Sequence, residues 1–189
     1  MSRIILLLKF CVVFSLFSYS QPNHPAGKLM ANGFRQATKE GKNVFLIFHA
    51  SWCTWCHKMD DAINDKKCKA FFDSNYVFVH LVVSEKDSLK NTPGASAYLK
   101  RFHGDSAGLP FWVITNNRGS WLADSYIRDS TQTKDSVGIN IGCPAEDNEV
   151  DAFVEILKKT SNMTDKQLAL VAARFKKNKV SVRSVKKKE

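Results

Sequence analysis

Apolar positions in this chain fall into runs that repeat every three to four residues and runs that are continuous, and the two alternate. Leu29, Gly33 or Phe34, and Ala37 recur at helical spacing and Gly41 closes the run, which predicts a helix over about residues 26–40. Asn43 to Ala50 (N-V-F-L-I-F-H-A) is a compact β-branched and aromatic run, the pattern of a buried strand. Cys56, Met59 and Ile63 sit three and four apart, so a helix begins near Cys53. A short helix carrying Cys68, Phe71 and Phe72 follows, and Tyr76 to Val83 reads as a second buried strand. Tyr98, Leu99 and Phe102 mark another helix. Phe111 to Thr115 and Ser120 to Ser125, joined by Asn116-Asn117-Arg118-Gly119, read as a β-hairpin.

Residues 126–143 are polar and irregular and are expected to form a long loop. Pro144 is expected to open the next helix from its first turn, where a missing N–H costs nothing, with Val150, Phe153 and Leu157 as its apolar face. Thr164 and Gln167 are spaced as a capping box for a final helix that turns Leu168, Val171 and Phe175 inward. Beyond Phe175 the composition predicts disorder. This order of elements is that of an α/β domain with a mixed central sheet flanked by helices, followed by an extra C-terminal helix and a basic tail.

The N-terminus stands apart. Ser2 and Arg3 precede an apolar run from Ile4 to Phe17, broken by Lys9, and Ser18-Tyr19-Ser20 supplies small residues before Gln21. That is the plan of a secretory signal over residues 1–20, and it predicts an exported protein, periplasmic or secreted. The competing reading is an uncleaved anchor, for which the apolar run is short. Cys11 lies inside the run and is expected to leave with it. The remaining chain divides into a domain over 21–160 and a helix with a basic tail over 161–189.

Net charge is +10. The last fourteen residues carry net +6, through Lys176, Lys177, Lys179, Arg183, Lys186, Lys187 and Lys188 against Glu189. Basicity is therefore a property of the tail, which argues against a nucleic-acid enzyme; the tail reads first as a solvated, flexible end, with weak docking to an anionic membrane surface or an acidic partner as the sharper alternative. Four cysteines remain after residue 20, namely Cys53, Cys56, Cys68 and Cys143. One closely spaced pair and two distant cysteines suit redox work or metal binding better than a disulfide scaffold.

The most informative stretch is Ala50-Ser51-Trp52-Cys53-Thr54-Trp55-Cys56-His57-Lys58-Met59. A thiol must be a thiolate to attack a disulfide, and a free cysteine, with a pKa of about 8.5, mostly is not. Placing Cys53 at a helix N-terminus favours the anion, and the two-residue spacer lets Cys56 reach back to resolve a mixed disulfide. Cys53 is expected to be the exposed nucleophile and Cys56 the shielded resolver. The strand F-L-I-F-H-A followed by S-W-C-T-W-C-H-K-M resembles the active-site segment of the thioredoxin superfamily, in particular its secreted or periplasmic members with a W-C-x-W-C motif. Gly108-Leu109-Pro110-Phe111-Trp112-Val113-Ile114 resembles that family's cis-proline strand. The resemblance covers about residues 26–160. It implies that Pro110 is the cis-proline, that the loop holding it faces the cysteine pair, and that its backbone is offered to a bound peptide. Trp52, Thr54, Trp55, Leu109 and Pro110 are then the substrate-binding residues, and a monomer working on protein thiols and disulfides with a redox partner needs no metal or organic cofactor.

The chain departs from that pattern in places. Thr54-Trp55 stands where cytoplasmic thioredoxins have Gly-Pro, Ile47 stands where they bury an acid, and His49 and His80 fall at neighbouring positions. Each histidine reads first as a hydrogen-bonded residue of the sheet, with a part in proton transfer as the sharper alternative. Cys53-x-x-Cys56-His57 also matches the c-type haem attachment pattern, so an electron-transfer haem protein is the rival from another class. A third reading is a binding module whose cysteines form a structural disulfide. A zinc site would need two further ligands, which Cys68 and Cys143 would have to supply. Cys68 reads as a small buried hydrophobe. Cys143, before Pro144, reads as a low-pKa thiol, a bystander or the partner of Cys68.

Overall fold

The computed structural model describes residues 25–179. The signal-like segment with Cys11, and the basic positions Arg183, Lys186, Lys187 and Lys188, lie outside the described residues. Strand β1 (Asn43–His49) lies inside a four-stranded sheet of order β2-β1-β3-β4. It runs parallel to β2 (Tyr76–Val82) and antiparallel to β3 (Phe111–Thr115), which pairs antiparallel with β4 (Trp121–Asp124). The mixed sheet follows from the connections. β1 reaches β2 through α2 (Thr54–Ile63) and α3 (Lys69–Asn75), as a parallel crossover requires, whereas β3 and β4 are joined by a tight turn ending at Gly119, where φ is +82°.

Alternation along β1 builds two cores. Phe45 and Ile47 face a layer containing Met59, Phe72, Trp112, Phe153 and Phe175, while Val44, Leu46 and Phe48 face Ala26, Met30, Leu99 and Phe111. The first layer is covered by α2, α3, α5 (Asp147–Thr160) and α6 (Asp165–Phe175), the second by α1 (Pro25–Glu40) and α4 (Ala95–Arg101). A strand buried on both faces needs apolar residues at every position, which is why β1 shows no alternation in its sequence.

Several expectations are corrected. Helix α1 buries Gly33 and Ala37 as expected, but the position a turn earlier is taken by Met30, with Leu29 exposed. A Cβ on Gly33 would lie 2.5 Å from Cγ2 of Val79, so the glycine permits α1 to approach β2 this closely. Residues 126–143 are not one irregular loop. They contain a two-stranded antiparallel ribbon, β5 (Tyr126–Ile127) paired with β6 (Ile139–Asn140). These strands are two residues long, too short for a periodic signal, and side-chain polar contacts hold them. Arg128 forms paired 2.8 Å bonds with the buried Asp124 carboxylate and donates to the Ser136 carbonyl at 2.7 Å.

Pro144 does not open a helix. Helix α5 starts at Asp147 with Glu146 as N-cap, because Glu149 closes a capping box on Glu146 that Pro144 could not supply. The capping box at Thr164 and Gln167 is present. The chain does not become irregular at Phe175 either. Lys176–Asn178 forms a 3-10 turn whose Asn178 is buried, donating to Sγ of Cys143 at 3.3 Å, and Lys58 donates to the Asn178 carbonyl at 3.1 Å.

Candidate active site

The cysteine pair sits where β1 ends. Ala50 is buried, the Cys53 N–H donates back to the Ala50 carbonyl at 3.1 Å, and α2 starts one residue later. Cys53 is the N-cap: its extended backbone (φ −81°, ψ 98°) aims Sγ at the open first turn, where it accepts from the Cys56 N–H at 3.1 Å. Cys53 and Cys56 are joined in a disulfide with Cα atoms 5.2 Å apart.

The loop before the pair is held by residues without a sequence signature. The Glu85 carboxylate accepts from the Ser51 N–H at 2.5 Å and from the Ser51 hydroxyl at 2.8 Å, which holds its pKa below the usual value. The Trp52 indole donates to the Ser84 carbonyl at 2.9 Å, where Ser84 takes a positive φ of 57°. His57 bonds its Nε2 to the Ser51 carbonyl at 2.9 Å.

One expectation about the thiols needs correction. Cys53 is not an exposed counterpart to a shielded Cys56: the two are 4% and 2% exposed, and Leu109 packs over both. What separates them is the amide directed at Cys53. The same cover weighs against haem attachment, which needs both sulfurs open to a porphyrin edge. Trp52 and Trp55 are exposed beside the pair, and Lys58 lies 4.2 Å above the Trp55 ring.

Leu109 and Pro110 reach the site through sheet register. Phe48 of β1 pairs with Phe111 of β3, so the residues preceding Phe111 lie beside the end of β1 and the start of α2. The Leu109–Pro110 peptide bond is cis. A groove of about 400 Å³ opens between Trp55 and Leu109 and runs past Asn140 to Cys143, Glu149 and Lys179.

The other candidates are placed as follows. Ile47 is buried, with no acid at its position. His49 is half-buried with its ring 5.3 Å from that of His80, and burial, then the His80 charge, pushes its pKa down, so it is neutral at pH 7. Cys68 is a buried free thiol of the core whose pKa is raised by burial. Cys143 is free, buried and pushed up to about 12 by desolvation, so it is neither a low-pKa thiol nor bonded to Cys68. Among the described residues no group of three or more His, Cys, Asp or Glu is gathered closely enough to hold a metal ion.

Residues 28–116, from α1 to the first residue after β3, match a family described as thioredoxin-like. Over that segment the chain is thioredoxin-like. This thioredoxin-like chain is also similar in part to two solved structures. One is a disulphide isomerase from Xylella fastidiosa Temecula1, at 21% identity over 55% of this chain and 75% of that one, with a TM-score of 0.44. The other is a DsbH oxidoreductase, at 20% identity over 68% and 81%, also with a TM-score of 0.44. No curated protein matches the chain. Among the described residues no helix is long and apolar enough to cross a membrane.

Proposed function

We propose that the chain is a thiol–disulfide oxidoreductase that acts on exported proteins through Cys53 and Cys56. The observation that carries this reading is a disulfide at the N-cap of α2, with an amide directed at one of its sulfurs and the Leu109–Pro110 segment beside it. In the reducing direction the Cys53 thiolate attacks a substrate disulfide, forming a mixed disulfide and releasing one substrate thiolate. Cys56, deprotonated, then attacks Sγ of Cys53, which closes the Cys53–Cys56 bond and releases the second. Two electrons and two protons leave the protein for the substrate. In the oxidising direction a substrate thiolate attacks Sγ of Cys53 and the same steps run backwards. The helix-start amides lower the cost of charge on Cys53 in both directions. Trp52, Thr54 and Trp55 on one side, and Leu109 and Pro110 on the other, form the surface a substrate chain meets. Export rests on the signal pattern of residues 1–20.

The test is insulin reduction driven by dithiothreitol, followed by turbidity. The wild-type chain is expected to shorten the lag in proportion to its concentration, and Cys53→Ser to act no faster than dithiothreitol alone. A Cys53→Ser protein as active as wild type defeats the proposal.

A further inference from the structure

The Leu109–Pro110 segment is held from outside the family-matched residues, by the β5–β6 ribbon. The Asn140 side chain at the end of β6 donates from Nδ2 to the Gly108 carbonyl at 2.7 Å and to the Pro110 carbonyl at 3.3 Å, while its Oδ1 accepts from the Gly142 N–H at 3.0 Å. Only this orientation of the amide satisfies all three partners. Two further contacts fix the ribbon in place. The Ile141 N–H donates to the Ser125 carbonyl at 2.8 Å, and the Trp112 indole donates to the Gly142 carbonyl at 2.7 Å. Gly142 takes a positive φ of 47°, and a Cβ there would lie 3.2 Å from the Pro110 carbonyl oxygen, so backbone meets backbone without an intervening side chain.

The pairing pattern is selective. The carbonyls of Gly108 and Pro110, on either side of Leu109, are both taken by one amide group. The N–H and C=O of Leu109 have no partner among the described residues. Leu109 is also the residue that packs on the cysteine pair. A substrate chain arriving over Cys53 thus finds Leu109 with its backbone polar groups unpaired.

We propose that Asn140 is a positioning residue for protein substrates: by binding the carbonyls on both sides of Leu109 it holds that residue's backbone in register for the chain attached to the reacting sulfur. This rests on the oxidoreductase reading above. A rigid loop spares an incoming chain the entropy of ordering it, so the benefit falls on binding. A small disulfide that touches only the sulfurs gains nothing from it.

Asn140→Asp tests the role, since it keeps the shape and replaces the donating amide with an oxygen facing two carbonyl oxygens. The full-length chain is assayed in whichever direction runs, reduced chain with insulin or oxidised chain with reduced insulin chains. Hydroxyethyl disulfide or dithiothreitol serves as the corresponding small substrate. The expected result is a KM for the protein substrate raised about tenfold, as loss of two neutral hydrogen bonds implies, with kcat and the small-substrate rate within about twofold of wild type. An unchanged KM, or an equal loss on both substrates, overturns the role of Asn140. If N140D does not fold, N140S, which keeps a donor and loses bulk, carries the same comparison; if neither folds, the residue is structural and the proposal is wrong. A wild-type chain inert towards both substrates overturns the oxidoreductase reading itself, an outcome distinct from a wild-type chain active on both with N140D unaffected.

Discussion

At Cys53 and Cys56 burial does not separate the two thiols, since both are nearly inaccessible, so reactivity has to be set by charge stabilisation. The amide of Cys56, shared with the Cys53 carbonyl at 3.0 Å, reaches Sγ of Cys53, and the start of α2 adds its dipole at the same atom. The reduced native chain treated with limiting iodoacetamide near pH 7.5 is therefore expected to label at Cys53 first and at Cys56 far more slowly. Cys143, whose thiol is pushed up to about 12, and Cys68, shielded in the core, are expected to stay unlabelled until the chain unfolds. Peptide mapping by mass spectrometry reads the order, and labelling of Cys143 ahead of Cys53 contradicts it. The motif C-x-x-C was sufficient to nominate these two atoms. It carried no information about Glu85 or Asn140, which hold the loops on either side from 34 and 32 residues away from the residues they bind.

The ribbon β5–β6 lies beside the Pro110 loop, outside the family-matched residues, and one of the contacts that hold it is an ion pair. Asp124, with a side chain 1% exposed, meets Arg128 at 14% and also accepts from the Tyr126 N–H at 2.8 Å. Removing one partner of a buried pair leaves the other charged and poorly solvated, a loss of about 3 kcal/mol. Asp124→Ala is expected to lower stability by roughly that amount in urea denaturation. Because the Ser125 carbonyl beside it anchors Ile141, the same variant should lose exchange with protein substrates before it loses exchange with small ones. A variant with wild-type stability would show that the ribbon stands without this pair. Helices α5 and α6 are governed differently: their N-termini are closed by local capping boxes, so their starts follow from four-residue patterns.

Over the whole molecule, buried acids link stability to alkaline pH, Tyr76 and Cys143 most strongly. Burial pushes Tyr76 from 10.0 up to about 12 and Cys143 from 9.0 up to about 12. In the unfolded chain both ionise at their ordinary values, so it releases protons first as pH rises, and folded-state stability is lost between about pH 9 and pH 12. The loss at about pH 10.5 is on the order of 3 kcal/mol, most of it from Cys143. Urea midpoints at pH 8 and about 10.5 measure it, and Cys143→Ala is expected to remove most of the slope. A flat profile in the wild type rules the linkage out. Cys143 belongs to the core layer that includes Val150 and Phe153, and Asn178 in the turn after α6 donates to its Sγ, so the C-terminal extension contributes to its surroundings.

The four-stranded sheet, the helices of the main layers and the cysteine pair were legible in the sequence because each depends on near neighbours. A strand buried on both faces must be apolar throughout, as at Val44 to Phe48, a helix must repeat its apolar face, as at Val150, Phe153 and Leu157, and a resolving thiol must lie within reach of its partner. Other features depend on residues far apart in the chain. The inner stripe of α1 is chosen by where Val79 leaves room for Gly33, not by which residue of the helix is most apolar. Asn178 is buried in a lysine-rich stretch because Cys143 and Lys58 offer it partners. Asn140 is indistinguishable from any loop asparagine until the fold brings the Gly108 and Pro110 carbonyls to its amide. Local pattern marked the strands and helices of the main layers and singled out the closely spaced cysteine pair, because periodicity, capping and thiol spacing are short-range. Tertiary structure alone decided what holds the site in place, because a hydrogen bond between distant residues leaves no periodic trace in either segment.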